Sequence, residues 1–193
     1  MRMHRYLEDY EYREYHEALV AAAPQRAYAA MRSLDLGRSR LIRAIFALRD
    51  LPARLRGASS PDRARGGLRS LVDSAVAIGW SILEEVPDQE LVAGAVTQPW
   101  QIAVTFRGLP GEEFMEFAEP GFAKIVWNFA VHEVDPGVSL VSTETRVATT
   151  DAFSRRQFRR YWLFLAPGIR LIRLLAIGLL KRELEREREE LDR

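Results

Sequence analysis

The residues best suited to acid–base or ligand-orienting chemistry lie in the second half of the chain. Asn128, Glu144 and Arg146 are polar residues in a stretch that carries many apolar side chains. If they are buried together, an amide, a carboxylate and a guanidinium can orient a ligand or a water molecule. If they lie on the outer face of a sheet, they form a cross-strand ladder in which each contact contributes roughly 0.2–1 kcal/mol. The sequence alone leaves both interpretations open.

The remaining reactive side chains form no recognisable catalytic or metal-binding motif. The chain has no cysteine, and its three histidines, His4, His16 and His132, are scattered along it. A zinc site needs clustered ligands, so no metal is predicted. Signature sequences of phosphate-binding loops, serine hydrolases and zinc proteases are also missing. The sequence therefore assigns no catalytic residue and no cofactor.

The composition is that of a globular protein with balanced charge. Of 193 residues, 48% are hydrophobic and 28% are charged, with a net charge of +1. A chain of this length buries enough surface to hold a core without disulfides or metals, so residues 1–193 are predicted to form a single domain. The small net charge gives no overall attraction to nucleic acid, and no nucleic-acid partner is predicted. The lack of cysteine fits a cytoplasmic location.

The first third of the sequence predicts a strand, two helices and a loop. A strand is predicted over residues 12–22, and Pro24 stands at a helix start, where its missing N–H is tolerated. Residues 25–36 continue this helix, and the apolar spacing of residues 41–48 predicts a second one. Residues 57–67 are rich in glycine, serine and proline and predict a flexible loop.

A β-rich stretch follows the loop. Two strands are predicted over residues 79–86 and 89–96, around a proline–aspartate turn. A third strand is predicted over residues 100–106, and a short helix with acidic residues at its start over residues 112–117. These elements lead into the strongest β pattern of the sequence.

That pattern is a hairpin of residues 122–134 and 138–149, turning at Asp135-Pro136-Gly137. A turn centred on Pro136 places Asn128 opposite Glu144 and Trp127 opposite Thr145. The odd-numbered side chains are more apolar and are predicted to face the core: Ala123, Ile125, Trp127, Phe129, Val131, Val141, Thr143, Thr145 and Val147. The even-numbered ones are predicted to face solvent or a polar partner: Lys124, Asn128, His132, Ser142, Glu144 and Arg146.

The last predicted element is a long helix that Asp151 caps and Pro167 kinks. One apolar stripe runs along it: Phe158, Trp162, Leu165, Ile169, Ile172, Ala176 and Leu179. If this stripe is buried, only the arginines of the helix face water, and any membrane contact is weak and electrostatic. Arg170 and Arg173 interrupt the apolar stretch, each at a cost of roughly 2.5–3.5 kcal/mol, and argue against a membrane span. Residues 181–193 are predicted to form an exposed, charged helical tail.

The order of these elements resembles a known superfamily. The segments PGFAKIVWNFAV at residues 120–131, STETRVATTD at 142–151 and FRRYW at 158–162 are similar to those of uncharacterised bacterial members of the START-like (SRPBCC) superfamily. This superfamily includes the birch-pollen allergen and polyketide cyclases. The resemblance implies an α+β helix-grip fold, with a curved antiparallel sheet of about six to seven strands wrapped around the C-terminal helix and two helices after the first strand. It also implies a cavity between sheet and helix, and no particular reaction.

The resemblance and the aromatic-rich inner face favour binding or transport of a hydrophobic small molecule, such as a lipid or a polyketide-like compound, by a monomer or homodimer. The predicted lining residues are Ile125, Trp127, Phe129, Thr143, Thr145, Phe158, Trp162, Leu165 and Ile169. Two alternatives stay open. One is a cyclase- or hydratase-type enzyme that uses Glu144 or His132 as a base in the same cavity. The other is a peripheral membrane or protein-interaction module with arginine-bearing helices.

Overall fold

A computed structural model of the protein describes residues 2–36, 39–41, 43–44, 70–101 and 104–191. Only the backbone is described for Leu165 and Leu191. The predicted loop at residues 57–67 lies outside the described residues, as does most of the helix predicted over 41–48.

The elements alternate helical segments with antiparallel strands and end in one long helix. In chain order they are a 3₁₀ turn (η1, Arg2–Arg5), β1 (Tyr12–Val20), α1 (Pro24–Ser33), α2 (Leu71–Ala77), β2 (Ser81–Val86), β3 (Glu90–Thr97), β4 (Phe106–Arg107), α3 (Gly111–Glu116), β5 (Ala123–Asp135), β6 (Val138–Thr149) and α4 (Ala152–Leu191). The predictions of β1, α1, β2, β3, the β5–β6 hairpin, α3 and α4 are confirmed within a few residues.

Two sequence predictions fail between β1 and β5. Helix α2 was not predicted; it begins after Ser70, whose Oγ accepts a hydrogen bond of 2.9 Å from the backbone N–H of Asp73. The strand predicted over residues 100–106 is wrong, because Phe106 is the one described residue of this range that belongs to a strand, the two-residue β4. The backbone N–H of Gln101 instead donates to the carbonyl of Gln98, which closes a tight turn after β3.

The protein is an α+β structure with an open, antiparallel sheet in the order β1-β6-β5-β3-β2, and β4 pairs with β3. In the central hairpin, Asn128 pairs with Glu144 and Trp127 pairs with Thr145, so the predicted register is confirmed. Gly137 adopts a positive φ of 75° in the hairpin turn, a conformation that glycine adopts without steric cost. The turn therefore sets the register that the sequence pattern predicts.

Both faces of the hairpin are covered, so the even-numbered side chains, predicted to face solvent or a polar partner, mostly do not face solvent. Asn128, Glu144 and Arg146 have polar partners instead. Asn128, Glu144 and Arg146 are almost completely buried, although His132 is exposed. The N-terminal segment and α3 cover this reverse face with an apolar cluster that includes Met3, Tyr6, Leu7 and Phe114. Alternation along a strand shows which residues share a face, but it does not show what covers that face.

The other face of the sheet packs against α1 and α4 through two separate apolar clusters. The first, here the α1 cluster, includes Tyr28, Met31, Leu91, Phe129, Val131, Val141, Leu180 and Leu184. The second, here the Phe158 cluster, joins Ala123, Val147 and Phe158 with Tyr12, Ile125, Tyr161 and Trp162. The helix-facing side therefore holds apolar packing at both ends.

Helix α4 begins at a cap and bends in its middle, as predicted. The Asp151 Oδ1 accepts a hydrogen bond of 2.8 Å from the backbone N–H of Ser154. The axes of its segments 152–164 and 166–190 are inclined to each other by 58°, and the break lies next to Pro167. Within the described residues, no single helix is both long enough and apolar enough to span a membrane. The two segments on either side of the bend meet these criteria of length and composition only when they are taken together.

The described part of the predicted charged tail, residues 181–191, is helical, but it is not exposed on all sides. Leu184 is buried in the α1 cluster. Beyond it, the guanidinium of Arg26 on α1 lies 3.3 Å from the carboxylate of Glu187. Helix α1 therefore holds part of residues 181–193 against the domain.

Candidate functional site

The centre of the sheet is incompletely covered on the side that faces α4. Ile125, Trp127, Thr143 and Thr145 are only partly buried there, although β5 and β6 have strands on both sides. On the reverse face, the same strands are buried at Asn128 and at neighbouring positions. A central strand retains exposed side chains only where nothing packs fully on its face, so α4 leaves this strip of the sheet incompletely covered. The strip is here called the groove. Its sheet residues are Ile125, Trp127, Thr143 and Thr145, with Glu14 and His16 beside the two threonines on β1. From α4, Arg173 bonds to Thr145, and Ile169 stands one helical turn before Arg173 on the same side of the helix.

The groove separates the two apolar clusters of the helix-facing side. Ile125 borders the Phe158 cluster, and Trp127 borders the α1 cluster. Between them, the strand pairing places Glu14 beside Thr145 and His16 beside Thr143. The groove thus has apolar ends and a polar middle.

Trp127 forms a fixed apolar wall of the groove. Its indole Nε1–H donates a hydrogen bond of 2.9 Å to the Thr143 Oγ1, which in turn donates to the backbone carbonyl of Asn128 at 2.7 Å. The ring also contacts Phe129 edge-on, with centroids 5.7 Å apart. Because the polar edge of the indole is already satisfied, its faces remain for apolar contact.

Two arginines of α4 reach into the polar middle of the groove. The Arg173 Nη2 donates to the Oγ1 of Thr145, and the Nε of Arg170 lies 3.6 Å from the buried carboxylate of Glu14. Burial lowers the pKa of Arg173 to about 10, against the opposite influence of Glu14 and Glu144. A pKa of about 10 leaves this guanidinium charged at neutral pH, inside a partly desolvated site.

His16 lies beside these arginines on the same face of β1. Burial, followed by the charge of Arg173, lowers the pKa of His16, while Glu14 partly opposes the shift. The imidazole is therefore neutral at pH 7. Across the described residues, no group of three or more His, Asp or Glu side chains is placed to hold a metal ion.

The structure brings only part of the predicted lining set to the groove. Ile125, Trp127, Thr143 and Thr145 belong to it, and Ile169 is partly buried on the side of α4 that carries Arg173. By contrast, Phe129 and Phe158 are buried within the packed clusters, where Trp162 stacks on Phe158 with centroids 5.6 Å apart. The side chain of Leu165 lies outside the described residues.

Sequence reasoning missed four polar residues at the groove: Glu14, His16, Arg170 and Arg173. A signal for two of them is present, because alternation along β1 places Glu14 and His16 on the face of the apolar Tyr12. Arg173 follows Ile169 of the apolar stripe by one helical turn, so it projects from the same side of α4. Their meeting with β6 depends on packing between distant segments.

The predicted polar cluster of Asn128, Glu144 and Arg146 does form, but on the reverse face of the sheet. Glu144 accepts hydrogen bonds from Arg13, at 2.8 and 3.2 Å, and from Arg146 at 2.7 Å. Burial alone would raise the pKa of Glu144, but the bonds from these two arginines lower it. Its carboxylate is ionised and fully engaged at neutral pH.

The N-terminal segment covers this cluster and forms hydrogen bonds with it. Asn128 accepts from the backbone N–H of Glu144 at 2.9 Å and donates to Glu90 at 2.7 Å, and Glu90 accepts from the backbone N–H of Arg2 at 2.8 Å. In the guanidinium of Arg146, the Nη1 lies 3.1 Å from the Nδ1 of His4, and the Nη2 lies 3.0 Å from its Nε2. Because every member is bonded, the cluster holds η1 against the sheet rather than presenting groups to a ligand.

The two candidate bases of the enzyme alternative do not reach the groove. Glu144 lies on the reverse face, where Arg13 and Arg146 bind it. His132 is exposed near the end of β5, and its strand position places it on the reverse face as well.

The comparisons with known proteins assign no family. No family model and no curated protein matches the chain significantly. Among solved structures, the chain is similar to the crystal structure of the Mll3558 protein from Rhizobium loti, with 12% identity over 88% of this chain and 96% of that one. The TM-score is 0.34, which is too low for this match to assign a fold.

Proposed function

We propose that the protein binds a hydrophobic small molecule in the groove between the sheet and α4, as a domain of the helix-grip type. The observation that supports this proposal most is the partial exposure of Ile125, Trp127, Thr143 and Thr145 at the centre of the sheet. In a packed interior, these positions would be as buried as Asn128 behind them.

The groove has the properties of a small-molecule site. Such sites are concave and mostly apolar, with a few polar groups that orient the ligand. The apolar surface comes from Ile125, the fixed ring of Trp127 and Ile169. A ligand that buries about 250 Å² of apolar surface gains about 6 kcal/mol, a Kd on the order of tens of micromolar.

A neutral fluorescent probe tests the proposal. We expect N-phenyl-1-naphthylamine to bind with a Kd on the order of tens of micromolar, with a rise in emission. The substitution Ile125→Trp fills the groove and should weaken binding by at least about tenfold, since roughly 1.4 kcal/mol of lost contact is enough.

Leu19→Trp is the matched control, because it adds the same ring at an exposed position of the same sheet. It should change the Kd by less than about twofold. Equal weakening by both variants, or no binding to the wild-type protein, would contradict the proposal.

A second candidate function rests on the outer face of α4. The expectation that only arginines of this helix face water is wrong, because Leu163 is 70% exposed and Phe164 86% exposed. Leu174, on the C-terminal side of the bend, is also exposed. We infer from this face a peripheral contact with an anionic membrane.

Charge supports this second candidate. Residues 152–182 contain eight arginines and lysines and no acidic residue. Arg156 and Arg160 lie on the same helical face as Leu163, at spacings of 4 and 3 residues. The part of the chain that the structure describes offers neither of them an ion-pair partner, so both remain available to lipid phosphates.

Vesicle co-sedimentation tests the membrane contact. We expect binding to vesicles of phosphatidylcholine with 30% phosphatidylglycerol, and none to phosphatidylcholine alone. Leu163→Ser combined with Phe164→Ser should weaken binding at least about tenfold, because each large apolar side chain contributes roughly 1.5–3 kcal/mol when fully buried. Leu19→Ser combined with Val134→Ser, two exposed positions elsewhere, is the control. Equal losses in both double variants would contradict a contact through α4.

A further inference from the structure

Within the groove, positive charge exceeds negative charge. Arg170 and Arg173 of α4 both reach it, and Glu14 is the carboxylate that faces them. Glu144 also acts on Arg173, but it lies behind the sheet and is bound by Arg13 and Arg146. Two guanidinium groups thus share one carboxylate, and His16 is neutral at pH 7 because its pKa is lowered, first by burial and then by Arg173. One positive charge remains without a counter-ion among the described residues.

Two unsatisfied polar atoms of the described residues belong to this groove. Throughout the described ranges, two buried side-chain atoms have no hydrogen-bond partner, and they are the Nη1 of Arg173 and the Nδ1 of His16. The Nη2 of Arg173 is bonded to Thr145, and His16 pairs with Thr143, two residues away on β6. Buried polar groups are normally paired, so two orphaned atoms in one groove indicate a missing partner, and for the Nη1 of Arg173 that partner is an acceptor.

We propose that the groove binds an amphipathic monocarboxylate, with its head at Arg173 and His16 and its apolar tail along Ile125, Trp127 and Ile169. The carboxylate accepts one hydrogen bond from the Nη1 of Arg173 and one from the imidazole in its Nδ1–H tautomer. This inference rests on the proposed function, because it assigns the chemical class of the ligand in the same groove.

The charge and the hydrogen-bond donors select a carboxylate among possible head groups. A monoanion neutralises the single surplus charge, whereas a phosphomonoester would leave an uncompensated negative charge beside Glu14. A neutral alcohol would leave the charge of Arg173 unbalanced. The apolar walls exclude a small hydrophilic acid, since they provide no further donors along the tail.

Displacement of N-phenyl-1-naphthylamine by decanoate and by 1-decanol tests the inference at pH 8. We expect the wild-type protein to bind decanoate at least about tenfold more tightly than decanol, the effect of one charge-assisted hydrogen bond. Arg173→Met removes the charge and keeps an apolar side chain. It should weaken the binding of decanoate about 10-fold to 100-fold and change the affinity for decanol by less than about twofold. His16→Phe should weaken the binding of decanoate several-fold. Like Arg173→Met, it should change the affinity for decanol by less than about twofold.

Arg186→Met is the matched control, because it removes an exposed arginine from the same helix. It should leave both affinities unchanged. The ligand-free Arg173→Met protein should melt at the wild-type temperature or above it, since it no longer buries an unpaired charge. A lower melting temperature with equal losses for both ligands would show a structural role for Arg173 and overturn the inference.

The remaining outcomes separate the two proposals. If decanol displaces the probe and decanoate is no better, the carboxylate site is wrong and the hydrophobic groove stands. If neither compound displaces a bound probe, or no probe binds, the proposed function is wrong and the inference fails with it.

Discussion

Glu144→Ala should destabilise the protein by about 3–5 kcal/mol, the cost of breaking a buried ion pair by removing one partner. Glu144 is fully buried, and the side chain of Arg146 is 3% exposed. Without the carboxylate, Arg146 keeps its charge in the interior, and Arg13 loses its two bonds to Glu144. Urea denaturation followed by circular dichroism would measure the change in the free energy of unfolding.

Two further variants show whether the buried pair causes this loss. Glu133→Ala, at an exposed position of β5, should change stability by no more than about 0.5 kcal/mol. Glu144→Leu combined with Arg146→Met should recover part of the loss, because replacing a whole buried pair by apolar residues is often neutral or stabilising. A loss below about 1 kcal/mol for Glu144→Ala would contradict a tightly buried cluster.

The pH dependence of stability gives an independent readout of the same cluster. The pKa of Glu144 in the folded protein is lowered from its ordinary value of 4.5, despite burial, by the bonds from Arg13 and Arg146. A group with a lowered folded pKa contributes stability above its unfolded pKa and loses it as the pH falls through the folded pKa. The wild-type protein should therefore lose stability below about pH 4.5 more steeply than Glu144→Ala does.

Phe158→Ala should cost about 3–5 kcal/mol, as truncation of a fully buried aromatic side chain does. Phe158 is 1% exposed, and its ring packs against those of Tyr12 and Trp162, with centroids at 4.7 and 5.6 Å. The substitution would leave a cavity at the contact between the N-terminal half of α4 and the sheet. Chemical denaturation would measure the loss.

Phe153→Ala is the matched control for this prediction, because Phe153 lies on the same helix and is 54% exposed. Its effect should stay within about 0.5 kcal/mol. If the two variants had similar effects, α4 would not be held to the sheet through Phe158. Trp127 and Trp162 are only partly buried, so replacing either one by alanine should lower the free energy of unfolding by less than Phe158→Ala does.

Much of the candidate site could be predicted from the sequence where local rules apply. The turn at Gly137 and the alternation of β5 and β6 predicted the pairing of Trp127 with Thr145, two residues of the groove, and the structure confirms it. Other parts could not be predicted. The orphaned nitrogens of His16 and Arg173 come from segments about 157 residues apart in the sequence, and nothing local to either one encodes their proximity.

The sequence by itself determined the elements that depend on neighbouring residues: the strands that alternate, the helix that starts at Pro24 and the bend of α4 next to Pro167. Only the tertiary structure decided what covers each face of the sheet. Because a strand has two faces, the same alternation is compatible with a buried or an open reverse face, and packing of the N-terminal segment made it buried. In the same way, the apolar stripe of α4 could be read from its spacing, whereas the exposure of Leu163 and Phe164 followed from where the bent helix meets its neighbours.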